Sequence, residues 1–446
     1  MNRSTLSVIV GTFTLRFSTG LTGFLLVNYL ADLERHGGQQ VTPLEVALIA
    51  IAFYLTELVL SPVFGVLCDR IGIRPIMLLG PAFGAAAAVI TGLTTSIPIL
   101  LGTRLLEGSS TAASVPAILG FLAIATSTDE GLRGRTMARF ELATLGGLAA
   151  GSVVGGFLWE LLGPVSFFLN AGLYGVSWAI YRYLVDYHDP ARAAGAPTAQ
   201  ALEATLRARL RDAGARYGRL VRSSHVLLLA PTWIALNAAI STIGSFQIVF
   251  QLRGTQSGFD DQLLMRGFSA AEISTGLLVG MVVFVAGVLF WGNQFKRYRR
   301  TTIIGFGAIA GLVGLVAALL ANHAHGAPLV VFVLLAAVGL AAVFVLAGGT
   351  PAALGLLADI SESYEHDRGA IMGLYSVFLA FGQIVGQSLA GVAAELRGID
   401  GLLGLTFVLV LVALAPLYSL RLYEHRIGGE VPGAVPHRRQ PGSADL

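Results

Sequence analysis

Twelve stretches of about 20 or more mostly apolar residues follow one another along the chain, parted by charged or Pro/Gly-rich breaks. They cover 5–31, 44–67, 74–96, 98–126, 136–161, 163–186, 226–252, 270–292, 301–321, 327–355, 369–394 and 399–422. Only closed barrels and helices satisfy their own backbone in lipid, and runs this long are helical, so an all-α membrane protein with twelve transmembrane helices is predicted. Composition agrees: 12% of residues are charged and 55% hydrophobic, with a mean hydropathy of +0.74. Soluble domains run near 25% charged, which excludes a soluble enzyme, a nucleic-acid-binding protein and a disordered scaffold. Cys68 is the only cysteine, so no internal disulfide or multi-cysteine metal site is available. Lys296, the only lysine, is followed by Arg297, so the chain has no phosphate-binding loop and no ATP site. The eight histidines fall in loops, in the tail or at span ends, and no metal centre, cofactor or catalytic residue is expected.

An even number of spans puts both termini on one side. With the termini cytoplasmic, cytoplasmic segments hold 23 of the 29 basic residues, external loops four (Arg35, Arg253, Arg266, Arg397) and spans two (Arg16, Arg104). The positive-inside rule therefore predicts cytoplasmic termini in a cell membrane. The longest connection, 187–225, separates an N-terminal bundle at 1–186 from a C-terminal bundle at 226–422, with a tail at 423–446. Within it Leu202, Leu206 and Leu210 lie four apart among arginines, the pattern of an amphipathic helix on an anionic membrane face. It reads either as a regulatory strap or as a basic linker.

The halves match in register. A shift of 235 carries Arg133, Met137, Gly147, Gly151, Gly156, Glu160 and Gly163 onto Arg368, Met372, Gly382, Gly386, Gly391, Glu395 and Gly398. A shift of 227 carries Gly65, Arg70, Gly80 and Gly84 onto Gly292, Arg297, Gly307 and Gly311. Two pseudo-symmetric six-helix bundles in parallel orientation are an architecture of secondary transporters.

Three motifs give this architecture a family likeness. After the second span the chain reads GVLCDRIGIRPIM, with Gly65, Asp69, Arg70, Gly72 and Arg74. This resembles the signature loop of the major facilitator superfamily. The resemblance implies that Asp69 latches onto the eleventh span and Arg368, stabilising an outward-open state. The matching loop GNQFKRYRR has no acid. The fourth span carries Leu100, Arg104 and Gly108 in the spacing of a second family signature, with Glu107 where an amide is usual. The fifth carries Gly147, Gly151, Gly155 and Gly156 as in the antiporter signature, with Ser152 replacing its proline. Glycines four apart let helix backbones approach closely, either as a rocking seam or as ordinary packing. The whole resembles the twelve-helix drug/proton antiporters.

Charges inside the bilayer cost several kcal/mol unless paired, so each is a functional candidate. They are Arg16, Glu57, Arg104 and Glu107, with Glu141 nearer the end of its span. Arg104 and Glu107 share a helix face by their i,i+3 spacing. Two cations face three carboxylates, leaving one acid without a dedicated partner. A carboxyl group in that position favours its protonated form, as a proton carrier requires. Glu107 and Glu57 rank ahead of Glu141 as carriers, with Arg16 and Arg104 as their partners or as a hold on a substrate anion; a static charge network is the alternative. The last six spans hold neutral polar residues instead: Asn237, Ser241, Tyr375, Gln383 and Gln387, read either as a cavity wall or as interhelical packing.

The expected activity is proton-coupled efflux of a lipophilic or amphiphilic compound by alternating access, driven by the proton gradient and carried out by a monomer among membrane lipids. A lipid or lysolipid translocator and a uniporter are alternatives on the same fold. A transport-dead sensor or scaffold is a further one, disfavoured by the intact signature loop.

Overall fold

The computed structural model describes residues 3–126, 130–187, 224–244, 246–294, 297–362 and 368–423. All regular structure among them is helical. The first half comprises α1 (Arg3–Ala31), α2 (Pro43–Ile71), α3 (Ile73–Leu93), α4 (Ile97–Ala125), α5 (Glu130–Leu162) and α6 (Ser166–Tyr183). The second comprises α7 (Ser224–Ile243), α8 (Phe246–Leu252), α9 (Ala270–Gly292), α10 (Arg300–Asn322), α11 (Leu329–Leu346), α12 (Gly349–Glu362) and α13 (Arg368–Tyr423). Ten apolar helical stretches are long enough to span a bilayer, and two of them, Arg135–Tyr183 and Val377–Leu422, run to 49 and 46 residues. Each is broken once, at Gly163 (φ 53) and Gly398 (φ 56), so the chain makes twelve crossings. Left-handed backbone at these two positions suits glycine, which has no Cβ to clash.

Gly163 and Gly398 are also equivalent under the 235-residue shift, and the structure repeats in other details. Thr42 caps α2 and Ser269 caps α9 by the same reciprocal arrangement. The Glu45 amide donates to Thr42 Oγ1 (3.3 Å) and the Thr42 amide to Glu45 Oε2 (2.8 Å). At α9 the Glu272 amide donates to Ser269 Oγ (3.1 Å) and the Ser269 amide to Glu272 Oε2 (2.8 Å). The two boxes stand 227 residues apart, the shift that aligns the glycines of the following helices.

The glycines of α5 and of the first arm of α13 make the tightest seams. A Cβ at Gly147 would lie 2.7 Å from the Phe13 carbonyl oxygen, and one at Gly155 would lie 2.9 Å from Phe24 Cβ. At Gly151 it would collide with the Phe17 carbonyl oxygen. In the second half a Cβ at Gly382 would lie 2.7 Å from Asn237 Cβ and one at Gly386 2.7 Å from Ser241 Cβ. Helices α1 and α7 thus hold equivalent places, and Arg16, whose Cβ faces Gly147, is the counterpart of Asn237.

Two expected spans are interrupted. The seventh divides into α7 and α8 at Gly244, whose amide makes the last bond of α7, to the Ile240 carbonyl (2.7 Å). The tenth divides into α11 and α12 near Gly348, where a Cβ would press on the Trp291 ring at 2.7 Å. The expected amphipathic helix at 201–220 and the tail lie outside the described residues.

We call the face where α1 begins and α13 ends proximal, and the opposite face distal. Each half has its own proximal core, around Leu15, Met77 and Tyr181 in one and Trp291, Ile303 and Leu420 in the other. At the distal face one cluster draws on both halves, joining Leu25, Tyr29, Trp159 and Phe167 to Val249, Phe250, Ala270 and Ile273. Replacing Gly151 with Val is expected to lower stability in detergent by about 1–3 kcal/mol, the usual cost of overpacking. Gly175→Ala, with open space at its Cβ, leaves the melting temperature unchanged. Thermal unfolding of the two variants checks this.

Candidate functional site

Helix α4 carries the first charged pair. Arg104 Nη1 and Glu107 Oε2 form an ion pair with side chains 5% and 2% exposed. Glu107 Oε1 accepts a hydrogen bond from the Tyr174 hydroxyl (3.3 Å). The Arg104 guanidinium is stacked on two rings, Phe53 at 4.7 Å and Phe246 at 5.0 Å. Phe53 belongs to α2 and Phe246 to α8, so the guanidinium sits between the two halves. A desolvated cation over an aromatic face gains about 2 kcal/mol. Glu107 is therefore the carboxylate with a cation of its own.

Arg16 is the other buried cation. Its Nη1 donates to Thr111 Oγ1 (3.4 Å), its Nε has no hydrogen-bond partner, and it forms no ion pair among the described residues. It acts electrostatically on both Glu57 of α2 and Glu141 of α5. Glu57 is half-buried and Glu141 exposed. The excess carboxylate inferred from the sequence thus lies in a group of one guanidinium and two acids. The ion pair sets Arg104 and Glu107 apart from Arg16, Glu57 and Glu141, a division their depths along the chain do not reveal.

The polar residues of the second half have a different place. Ser241 Oγ donates to the Gln383 carbonyl (3.1 Å), and Gln387 Nε2 donates to the Ser241 carbonyl (2.9 Å). Asn237 Nδ2 bonds its own helix at the Trp233 carbonyl (2.8 Å). Asn237, Ser241 and Gln387 are buried in the seam between α7 and α13, while Gln383 is half-buried. This arrangement is interhelical packing; the Tyr375 side chain lies outside the described residues.

At the signature loop Gly72 takes φ 96, ψ 158 between α2 and α3, a turn that favours glycine. A Cβ at Gly65 would lie 3.9 Å from Pro116 Cβ, and Arg70 is half-buried. Arg74 stacks on the Tyr187 ring (5.3 Å) and reaches the Arg182 carbonyl (3.4 Å), which ties α3 to the end of α6. The side chains of Asp69 and Arg368 lie outside the described residues.

A distal clamp was not foreseen. Asp32, at the end of α1, pairs through Oδ2 with Arg253 Nη2 of the other half and accepts from Trp159 Nε1 (3.1 Å); its Oδ1 takes Arg35 (3.0 Å). Nearby, Gln247 Nε2 donates to the Pro43 carbonyl (2.6 Å) and the Gly156 amide donates to Ser274 Oγ (3.1 Å). Each of these three bonds joins the halves on the distal side. The only available signal was charge of opposite sign at the ends of spans one and seven, and loop charges rarely reveal their partners. Beside the clamp the 253–269 loop is stapled to its own half. Gln262 reaches the Arg397 carbonyl (2.9 Å), the Leu264 amide reaches Asn322 Oδ1 (2.8 Å), and His323 Nε2 meets Asp400 Oδ2 at 2.7 Å. Asp261, His323 and Asp400 bring their polar atoms within 4.8 Å of one another, a donor set that a divalent cation could use.

A sequence model of the Major Facilitator Superfamily matches residues 8–265 and again 262–441. Quinolone resistance protein NorA of Staphylococcus aureus (strain MSSA476) is 21% identical over 392 residues, 88% of this chain and 90% of that protein. Multidrug resistance protein 2 of Bacillus subtilis (strain 168) is 23% identical over 351 residues, 78% of this chain and 80% of that protein. Among solved structures, a peptide transporter POT in complex with sulfate superposes with a TM-score of 0.68 at 15% identity, covering 96% of each chain. The nucleoside transporter NupG superposes with a TM-score of 0.66 at 12% identity, covering 97% of this chain and 100% of that one. These likenesses in structure carry the fold.

Arg104→Gln leaves Glu107 buried without its cation and is expected to destabilise the protein by about 3–5 kcal/mol. The double substitution Arg104→Gln with Glu107→Gln recovers most of that loss. Thermal unfolding in detergent compares them, and equal melting temperatures for single and double variants would show that the pair contributes no mutual stabilisation.

Proposed function

The chain belongs to the Major Facilitator Superfamily and is a membrane transporter, and we propose that it exports lipophilic or amphiphilic small molecules in exchange for protons. The observation that carries this reading is the triad of Arg16, Glu57 and Glu141. With Glu107 held by Arg104, one guanidinium remains for two carboxylates, the half-buried Glu57 and the exposed Glu141. The balance is one negative charge in excess. In a low dielectric that charge favours capture of either a proton or a cationic group on a substrate, and the two compete. Competition for one charge at alternating faces is sufficient for exchange.

Three further observations agree. The curated relatives carry resistance names, quinolone and multidrug, which favours efflux of structurally varied compounds. The second half offers no buried charge among its described residues, which suits an apolar or amphiphilic substrate better than a polyanion or a sugar. The cores divide on the proximal side and merge on the distal side, as expected of a transporter caught facing the side of its termini. With the termini cytoplasmic, as the distribution of arginine favours, that is the inward-facing state in which an exporter loads its cargo.

Proteoliposomes with an imposed pH gradient and ethidium as the probe test this reading. Wild type is expected to accumulate the dye only while the gradient lasts, and an uncoupler abolishes the accumulation. Glu57→Gln and Glu141→Gln each reduce it by about ten-fold or more, the scale of a coupling free energy. Downhill dye movement that ignores both the gradient and the two substitutions would identify a uniporter.

A further inference from the structure

Helix α8 is seven residues long, set off from α7 by the break at Gly244, and it packs against α1 and α2 of the other half as well as against its own. Phe246 stacks on Arg104, and its ring edge lies 3.8 Å from where a Cβ of Gly23 would be. Gln247 bonds the Pro43 carbonyl, and Phe250 is fully buried in the distal cluster shared by the halves. Arg253, whose amide extends the helix through the Val249 carbonyl (3.2 Å), pairs with Asp32. These four positions span two turns, about 10 Å along the axis. One end of that short helix closes the distal face and the other touches the buried ion pair.

We infer that Phe246 is a positioning residue that links the Arg104–Glu107 pair to closure of the distal face. While α8 is seated, the Phe246 and Phe53 rings both contact the guanidinium, which is paired with the Glu107 carboxylate. When α8 leaves with its half, Arg104 loses one of its two aromatic faces, and its hold on Glu107 loosens in the same movement. Linkage makes this reciprocal: an Arg104 held at Glu107 offers Phe246 a cation to stack on and so favours the seated helix. Nothing in the family signatures marks Phe246, which stands as one aromatic residue within an apolar span. The inference rests on reading the Arg104–Glu107 pair as part of the transport site, but its test does not depend on protons.

The test measures maleimide labelling of a single cysteine introduced as Ser274→Cys in a Cys68→Ser background. Ser274 is fully buried against Gly156 of the other half and becomes reachable when the distal face opens. Phe246→Leu retains apolar volume without a ring face, and it is expected to raise the labelling rate about ten-fold, within the range of a coupling free energy. Phe246→Tyr retains the ring and labels like the parent. Arg104→Gln raises the rate as Phe246→Leu does, and the two together raise it no further, because both remove one contact. Equal labelling of the Leu and Tyr variants, or independent multiplication of the Phe246→Leu and Arg104→Gln effects, would overturn the inference. The Leu against Tyr contrast decides the matter even where the Arg104 variant cannot be purified. Ethidium accumulation in the same proteins separates the two readings. Its absence in the parent would sink proton exchange, while the labelling cycle still decides the role of Phe246.

Discussion

A charge among apolar helices is tolerated only where another charge, a proton or a polar neighbour compensates it, and that constraint organises the interior of this protein. The first half satisfies it in two ways at once. Arg104 and Glu107 cancel one another's charge, with Tyr174 serving the carboxylate and two rings beside the guanidinium. Arg16, Glu57 and Glu141 compensate one another incompletely. A pair whose charges cancel has no net charge to offer, whereas an uneven group retains affinity for whatever supplies the missing charge. The transport reading follows from that difference between two groups that look alike on paper.

Duplication of the fold makes the asymmetry legible. The glycine seam that lays α5 on α1 is repeated where α13 lies on α7, so Arg16 and Asn237 occupy matching places. The scaffold is symmetric and the chemistry is one-sided. In the second half the matching region is filled by the amide of Asn237 and by the hydrogen bonds linking Ser241, Gln383 and Gln387. Those bonds lock two helices together without leaving a charge for a substrate or a proton to answer. One half therefore holds the charges and the other provides a surface to move against.

Much of the fold could be read from the residues. Span length gave the twelve crossings, and the repeat register anticipated both the paired breaks at Gly163 and Gly398 and the seams of α5 and α13. What the sequence could not give was helix rotation. Positions 16, 57, 107 and 141 lie on four different helices, and which arginine meets which acid depends on how those helices turn about their axes. Arg104 and Glu107 were readable as a pair because they share one helix, and that is why the pairing left over, with Arg16, was not. The breaks inside spans seven and ten were hidden because glycine is common throughout the chain, and only packing distinguishes Gly244 or Gly348 from the rest. Phe246 was hidden for a similar reason, since an aromatic residue in an apolar run shows nothing of what it touches.

A carrier must be able to leave each of its states, and the distal closure is built accordingly. Its apolar part joins residues of both halves, which would resist separation if water had to cover all of them, but in an outward-open state the separated surfaces line a cavity that a lipophilic substrate can occupy. Its polar part, Asp32 with Arg253 and Trp159, is largely buried, the Asp32 and Arg253 side chains being 12% and 11% exposed, while Arg35 reaches it from solvent. A buried pair of this kind fixes geometry and register, but the cost of desolvating its charges offsets much of their attraction. The balance between states is therefore left to the interior, where a single proton or substrate charge outweighs the clamp. Two conformations separated by only a few kcal/mol can be driven back and forth by differential binding of that size, and a stronger clamp would have trapped the transporter in one of them.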